Sequence, residues 1–165
     1  MENNSRMRII HIALLALLVA LLTLGCSSIS FDSALFSDDA WIAANGDSYS
    51  YIRSVQAADA ESATLSFSGF YGKHSVWAFE AEGEAELALD LDLSAGLRGR
   101  FKVCFVTADK QVFMLESKPG LSSHILTLSA GKHYIVLVGD AAYGSARLRI
   151  KHAPEPLPYE LRVLL

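Results

Sequence analysis

Apolar and polar positions along this chain follow two different rhythms. From Ile9 to Leu24 the apolar residues run on with only His11 and Thr23 interrupting them. From Ser48 onward they recur at every second position, segment after segment. A period of two belongs to a strand with one buried and one wet face, because successive side chains leave a pleated sheet on opposite sides. The clearest case is Glu86 to Leu93, where Leu87, Leu89, Leu91 and Leu93 alternate with Glu86, Ala88, Asp90 and Asp92. Arg100 to Val106 likewise separates Phe101, Val103 and Phe105 from Arg100, Lys102 and Cys104. Ser48 to Val55, Ala63 to Phe70, Ser75 to Ala81, Val112 to Glu116 and Ala146 to Ile150 read as further strands. About eight strands without a long helix predict an all-β domain, an antiparallel β-sandwich or jelly roll.

Neighbouring segments suggest hairpins. If the strands at Glu86–Leu93 and Arg100–Val106 pair about a turn at Gly96, Leu91 faces Phe101, Leu89 faces Val103 and Leu87 faces Phe105. Asp92 then meets Arg100 and Asp90 meets Lys102 on the wet side. A slip of one residue would place Asp against Phe, so the apolar face sets this register. A second hairpin is expected where Leu126 and Leu128 lead through Gly131 to Tyr134, Val136 and Val138. Pro154, Pro156 and Pro158 cannot donate to a ladder, so 151–158 should cross the surface extended. Tyr159 to Leu165 could then add an edge strand.

The apolar run has 16 residues, short of the roughly 20 that a helix needs to cross a hydrocarbon core. Arg6 and Arg8 precede it and Thr23-Leu24-Gly25-Cys26 follows it, the order of an export signal with a cleavage site. This arrangement resembles the lipobox of bacterial lipoproteins, although Thr23 and Leu24 stand in the reverse of the commonest order. The resemblance implies that Cys26 carries diacylglycerol and begins the mature chain. It implies a location in the cell envelope, at the outer membrane or the outer face of the plasma membrane, with the membrane as a partner through that lipid.

Three regions follow: a signal peptide over 1–25, the lipidated Cys and a Ser- and Asp-rich tether over 26–47, and the sandwich over 48–165. Within the tether, Asp38 or Asp39 could cap a short helical turn that turns Trp41 and Ile42 toward the domain. Cleavage before Cys26 leaves 140 residues, enough for one domain with its own core. The full chain has 14 basic and 18 acidic residues. Without Glu2, Arg6 and Arg8 it has 12 and 17, a net charge of about −5. Such a balance argues against nucleic acid as a partner, since a phosphate backbone calls for a basic patch. With Cys26 acylated, Cys104 is the one remaining thiol, so the apolar core must hold the fold without a disulfide.

From Leu65 to Ile150 the order of features is Phe67-Ser68-Gly69, Trp77-Ala78-Phe79, the Leu-rich strand to Leu93, and Leu128 to Tyr134 running on to Gly139. It resembles bacterial pre-peptidase C-terminal domains, small sandwiches appended to secreted enzymes. The resemblance implies an accessory or binding role. Leu97-Arg98-Gly99-Arg100 stands where such domains often carry an Asp-rich loop, a departure that puts any loop-bound calcium in doubt.

Candidate chemistry is sparse. His74, His124, His133 and His152 stand at no short ligand spacing and no CxxC or HExxH occurs, so neither a metal nor a cofactor is expected. Ser75 and Ser123 adjoin His74 and His124, but neighbours on a strand point to opposite faces, the wrong arrangement for a nucleophile and its base. The carboxylates Glu80, Glu82, Glu84, Glu86, Asp90 and Asp92 read more simply as a solvated sheet face than as a glycosidase pair. Cys104 shares its face with Arg100 and Lys102 and reads as a small buried or edge thiol rather than a nucleophile. Aromatic residues offer more: Tyr71 and Tyr143 adjoin Gly72 and Gly144 in expected turns, and with Trp77 they are candidate contacts for a glycan or an envelope protein. The expectation is a noncatalytic binding, structural or accessory module. Carbohydrate recognition is the first alternative, and a small hydrolase with an unorthodox site the second. Recruitment of a partner strand to a sheet edge is a further route to assembly.

Overall fold

The computed structural model describes residues 32–94, 98–151 and 159–164. The apolar run, Cys26, the turn at Gly96 and the Pro-rich stretch lie outside them. Nine strands form one antiparallel network: β1 Ser48–Ser50, β2 Arg53–Ala58, β3 Ser62–Ala81, β4 Ala85–Leu93, β5 Arg100–Val106, β6 Val112–Glu116, β7 Gly120–Leu128, β8 Gly131–Ile150 and β9 Tyr159–Val163. The fold is all-β and sandwich-like, as the alternation predicts.

Two strands of 20 residues each, β3 and β8, form its spine and belong to both layers. In the first layer, Ser62–Phe67 and Gly144–Ile150 pair with each other and are flanked by β2 on one side and by β4 and then β7 on the other. In the second layer, Phe70–Ala81 and Gly131–Ala142 are flanked by β1 and β9 on one side and by β5 and then β6 on the other. The ladder slips between Phe67 and Phe70 and again before Gly72, which is where one layer gives way to the next. Gly72 has φ +104°, and a Cβ there would run into the Ser48 carbonyl, so only glycine lets β1 close on the corner.

The apolar faces meet between the layers. Leu65, Phe67, Leu87, Leu89, Leu91, Leu126, Leu128 and Leu148 pack with Phe70, Trp77, Phe79, Phe101, Val103, Phe105, Ile135 and Leu137 in one core. Burial of each such side chain stabilises the fold by about 1.5–3 kcal/mol relative to its exposed state.

β4 keeps its expected parity, but both expected hairpins are corrected: β7 pairs with β4 and not with β8, and Ile135 and Leu137 share the core with Leu126 and Leu128 whereas Tyr134, Val136 and Val138 lie on the outer side of the second layer. β4 pairs with β7, Leu89 opposite His124, and with β8, Leu91 opposite Leu148. β5 pairs with β6 and with a different stretch of β8, Val103 opposite Leu137. The expected ion pairs change accordingly. Asp92 meets Arg147 at 3.7 Å, Asp90 meets Lys151 at 3.0 Å and Arg100 meets Asp140 at 2.6 Å. A hairpin about Gly96 satisfies every parity rule, yet β8 lies beside both strands, beside β4 with 146–150 and beside β5 with 134–140.

The described part of the expected tether is likewise folded. A 3-10 turn spans Ser33–Ser37 and helix α1 spans Asp39–Ala43, its first turn capped by the Asp38 carboxylate accepting from the Trp41 N–H at 3.0 Å. Ile42 and Ala43 pack on Cys104, Val106, Val136 and Val138, the outward residues of the second layer. Phe36 lies beneath the Arg100 guanidinium at 4.5 Å and the Lys102 ammonium at 5.0 Å. Residues 32–44 therefore roof the second layer rather than linking it flexibly to anything.

Candidate functional site

The two outer faces of the sandwich differ. That of the second layer is closed by the roof and latched by Lys73, a buried lysine on β3. Its ammonium donates to the carbonyls of Trp41 at 2.7 Å, Ile42 at 3.3 Å and Ala44 at 2.5 Å, the carbonyl-rich end of α1. Burial lowers its pKa, which the Asp47 carboxylate partly opposes. Beneath the roof, burial raises the Cys104 thiol to about 12, so this sulfur is a packing group and not a nucleophile.

The outer face of the first layer is bare of any described segment and is ordered in two cross-strand rungs. One runs Ser62, Arg149, Asp90, Ser123 across β3, β8, β4 and β7; the next runs Thr64, Arg147, Asp92, Leu121. Together they line a shallow groove of about 330 Å³. Asp90 accepts from the Ser123 hydroxyl at 2.5 Å and pairs with Lys151, and these contacts hold its carboxyl below the ordinary carboxylate range. Asp92 faces Arg147. Asp90, held in its charged form by its hydrogen bonds, is poorly suited to be the raised acid that glycoside hydrolysis needs in one of its two carboxyls. The groove offers charge pairs and hydroxyls to a polar ligand or a complementary protein surface.

The three aromatic candidates part company. Trp77 is completely buried, its indole N–H donating to the Asp59 carbonyl at 2.9 Å, so it is a core residue and is corrected as a binding candidate. Tyr143 is 38 % exposed, and its N–H donates to the Arg98 carbonyl at the layer junction. Tyr71 is half-buried opposite Ser50 of β1. Tyr49 is 47 % exposed and stacks on the buried His74 ring at 3.8 Å. The Tyr51 hydroxyl lies 2.9 Å from His74 Nδ1, and its ring stacks on Phe70. Burial, then Tyr49 and Asp47, raise the Tyr51 phenol well above its ordinary value. Burial lowers the His74 pKa against the pull of Asp47. Tyr49 and Tyr51 stand on one short stretch with Ser50 between them.

Among the described residues no three His, Cys, Asp or Glu side chains converge as metal ligands. His124 contacts the Ser122 hydroxyl and His133 the Ser129 carbonyl, each at its own place; His152 lies outside the described residues. No described helix is long and apolar enough to cross a membrane.

No family model and no curated protein matches the chain. Among solved structures, Drosophila melanogaster CENP-C bound to CAL1 aligns with 59 % of this chain and 76 % of its own, at 11 % identity and a TM-score of 0.21. A likeness of that size carries no argument.

Proposed function

We propose that this chain is an exported, lipid-anchored envelope protein whose sandwich serves as a noncatalytic binding or accessory module, with the outer face of its first layer as the contact surface. The observation that carries the reading is the contrast between the two faces. One is roofed by the chain's own N-terminal segment, and the other leaves Arg147, Arg149, Asp90, Asp92 and Ser123 open in an ordered groove. The resemblance of 65–150 to pre-peptidase C-terminal domains supports the same accessory role.

The anchor rests on Cys26 and the sequence before it. The folded unit has a capped turn from Asp32 onward, six residues past Cys26, a stretch that reaches at most about 20 Å. A lipid on Cys26 would therefore hold the sandwich close to the bilayer. Carbohydrate recognition is supported at the rim by the exposed Tyr143 and Tyr49 rings, which suit contact with single sugars.

The test combines labelling and crosslinking. Palmitate should label the wild type in the membrane fraction and not Cys26→Ala. A photo-crosslinker at Arg149 should capture an envelope component, whereas one at Glu82, exposed in the turn after β3, should not. Equal capture at both positions removes the groove as the contact surface; an unlabelled wild type removes the anchor.

A further inference from the structure

We propose that the corner where β3 and β8 pass from one layer to the other is the surface that the anchored protein lays on an anionic bilayer, a placement that rests on the lipid proposed for Cys26. Four stretches meet there in cross-strand order: 51–53, joining β1 to β2; 67–70 of β3; 142–144 of β8; and 98–100, leading into β5. The Ile52 N–H donates to the Ser68 carbonyl at 3.0 Å and the Tyr143 N–H to the Arg98 carbonyl at 3.2 Å, so backbone bonds hold this order. The inner side of the corner is core, filled by Phe67, Phe70, Phe101 and Ala142. Side chains exposed at the corner therefore point outward.

The chain enters the fold at this same corner. The Ser33 hydroxyl donates to Asp140 at 2.9 Å, and Arg100 donates to the Ser33 carbonyl at 2.8 Å. Ser33 stands seven residues after Cys26, a reach of at most about 25 Å. Both layers run away from the corner: Glu82, in the turn after β3, lies ten residues past Gly72, roughly 30 Å further along that strand. A lipid on Cys26 therefore tethers the corner end to the bilayer and leaves the Glu82 end as the distal one.

The exposed side chains suit the boundary between acyl chains and headgroups. Ile52 is 70 % exposed and lies over Gly69, where a Cβ would collide with it; Tyr143, 38 % exposed, stands on the facing stretch of β8. An aliphatic side chain and a ring with a polar tip are favoured at that depth. Arg53, opposite Ser68, and Arg98 flank them, both exposed and, among the described residues, without an ion-pair partner. A guanidinium presents a fork of donors that matches a phosphate. The nearby carboxylates are already engaged, Asp140 by Arg100 and Ser33, and Asp32 by the Ala34 N–H. The corner is thus locally cationic on a chain of acidic balance, and anionic headgroups are the charge it matches.

The full chain, purified from membranes and reconstituted into vesicles of phosphatidylglycerol and phosphatidylcholine, tests this placement. Ile52→Cys and Tyr143→Cys, each carrying an environment-sensitive fluorophore, should be quenched by spin-labelled lipid, whereas the same fluorophore at Glu82→Cys should not. Cys104 is buried and an acylated Cys26 has no free thiol, so the label goes to the introduced site. Arg53→Glu together with Arg98→Glu should lower the quenching at 143 about fivefold, as should vesicles of phosphatidylcholine alone, while flotation with the vesicles persists through the acyl chains. Equal quenching at 143 and 82, or quenching at 143 undiminished by charge reversal and by neutral lipid, overturns the corner as an anionic-lipid contact and leaves the anchor standing. A wild type that fails to float with the vesicles overturns the anchor and this placement with it.

Discussion

Lys73 holds Ala44: its ammonium lies 2.5 Å from that carbonyl oxygen and closes the end of α1 onto β3 from beneath. Three backbone carbonyls share the same donor, and Arg100 ties the other end of the roof by donating to the Ser33 carbonyl at 2.8 Å.

Lys73→Met keeps the length and apolar stem of the side chain but leaves those carbonyls without their partner. Its cost should be about 1–3 kcal/mol, the scale for an orphaned buried polar group. The urea midpoint should fall with an unchanged slope. The roof should also loosen before the sandwich unfolds, so the Cys104 thiol, now buried with its pKa raised to about 12, should react faster with an aromatic disulfide reagent. A lower midpoint without faster thiol reaction would mean that roof and sandwich open together.

A pH dependence follows from His74. Burial lowers its folded pKa from the ordinary 6.5, while the unfolded chain takes up its proton near 6.5. Below that value the unfolded state binds the extra proton, so stability is complete above about pH 6.5 and falls as the pH drops toward the lowered value. Asp59, Asp90, Asp109 and Glu116 are also lowered, chiefly by hydrogen bonds they accept, and their contribution is lost only near and below the ordinary carboxylate range. Between pH 6.5 and 5 the histidine effect therefore stands apart. Urea unfolding across that window should show a decline in the wild type and a flatter profile in His74→Gln. An equal slope in both would assign the decline to other groups.

The core face of β4 and of Phe101, Val103 and Phe105 was legible in the sequence; that of β8 was not, since Ile135 and Leu137 rather than Val136 and Val138 enter the core, nor was what each strand pairs with. Leu87, Leu89, Leu91 and Leu93 are all buried, as are Phe101, Val103 and Phe105, because a period of two has only one consistent reading. The choice of partner depends on which strands lie adjacent. Adjacency between β4 and β5 is the common arrangement, but here a 20-residue β8 lies beside both. That strand looked like two because Gly139 and Gly144 punctuate it, whereas the chain uses that stretch to turn from one layer into the other without ending. Lys102, Lys73 and Phe36 were opaque for a related reason: a cation or an aromatic in a polar stretch reads as exposed until a roof is placed over it. The groove was half visible, since Asp90, Asp92, Arg147 and Arg149 were all read as wet, but the rungs that join them follow from pairing alone.

The corner should be intolerant of any side chain at Gly72. At φ +104° an L residue is strained, and its Cβ would overlap the Ser48 carbonyl, which belongs to backbone that cannot swing aside. Gly72→Ala should cost about 1–3 kcal/mol from strain alone and should detach β1. Tyr49 would then leave the face of His74, and amide exchange at Ser48–Ser50 should accelerate ahead of the rest of the sheet. Uniform acceleration across all strands would show that the corner is not a separable element.

Trp77 and Tyr143 looked alike as candidate contacts, and their surroundings separate them. Trp77 fills the core with no exposed surface, packs near Phe79 and satisfies its N–H on Asp59. Trp77→Ala removes that packing, leaves a cavity and strands the Asp59 carbonyl, so it should cost about 3–5 kcal/mol. Tyr143 contributes its backbone N–H to the Arg98 carbonyl, a bond that survives substitution, while its ring stands partly in water. Tyr143→Ala should therefore change stability by less than about 0.5 kcal/mol. Urea unfolding of both variants measures the difference, and capture of envelope components by Tyr143→Ala in the membrane reads its role in contact. A large loss of stability in Tyr143→Ala would make that ring part of the junction between layers and withdraw it from the rim surface.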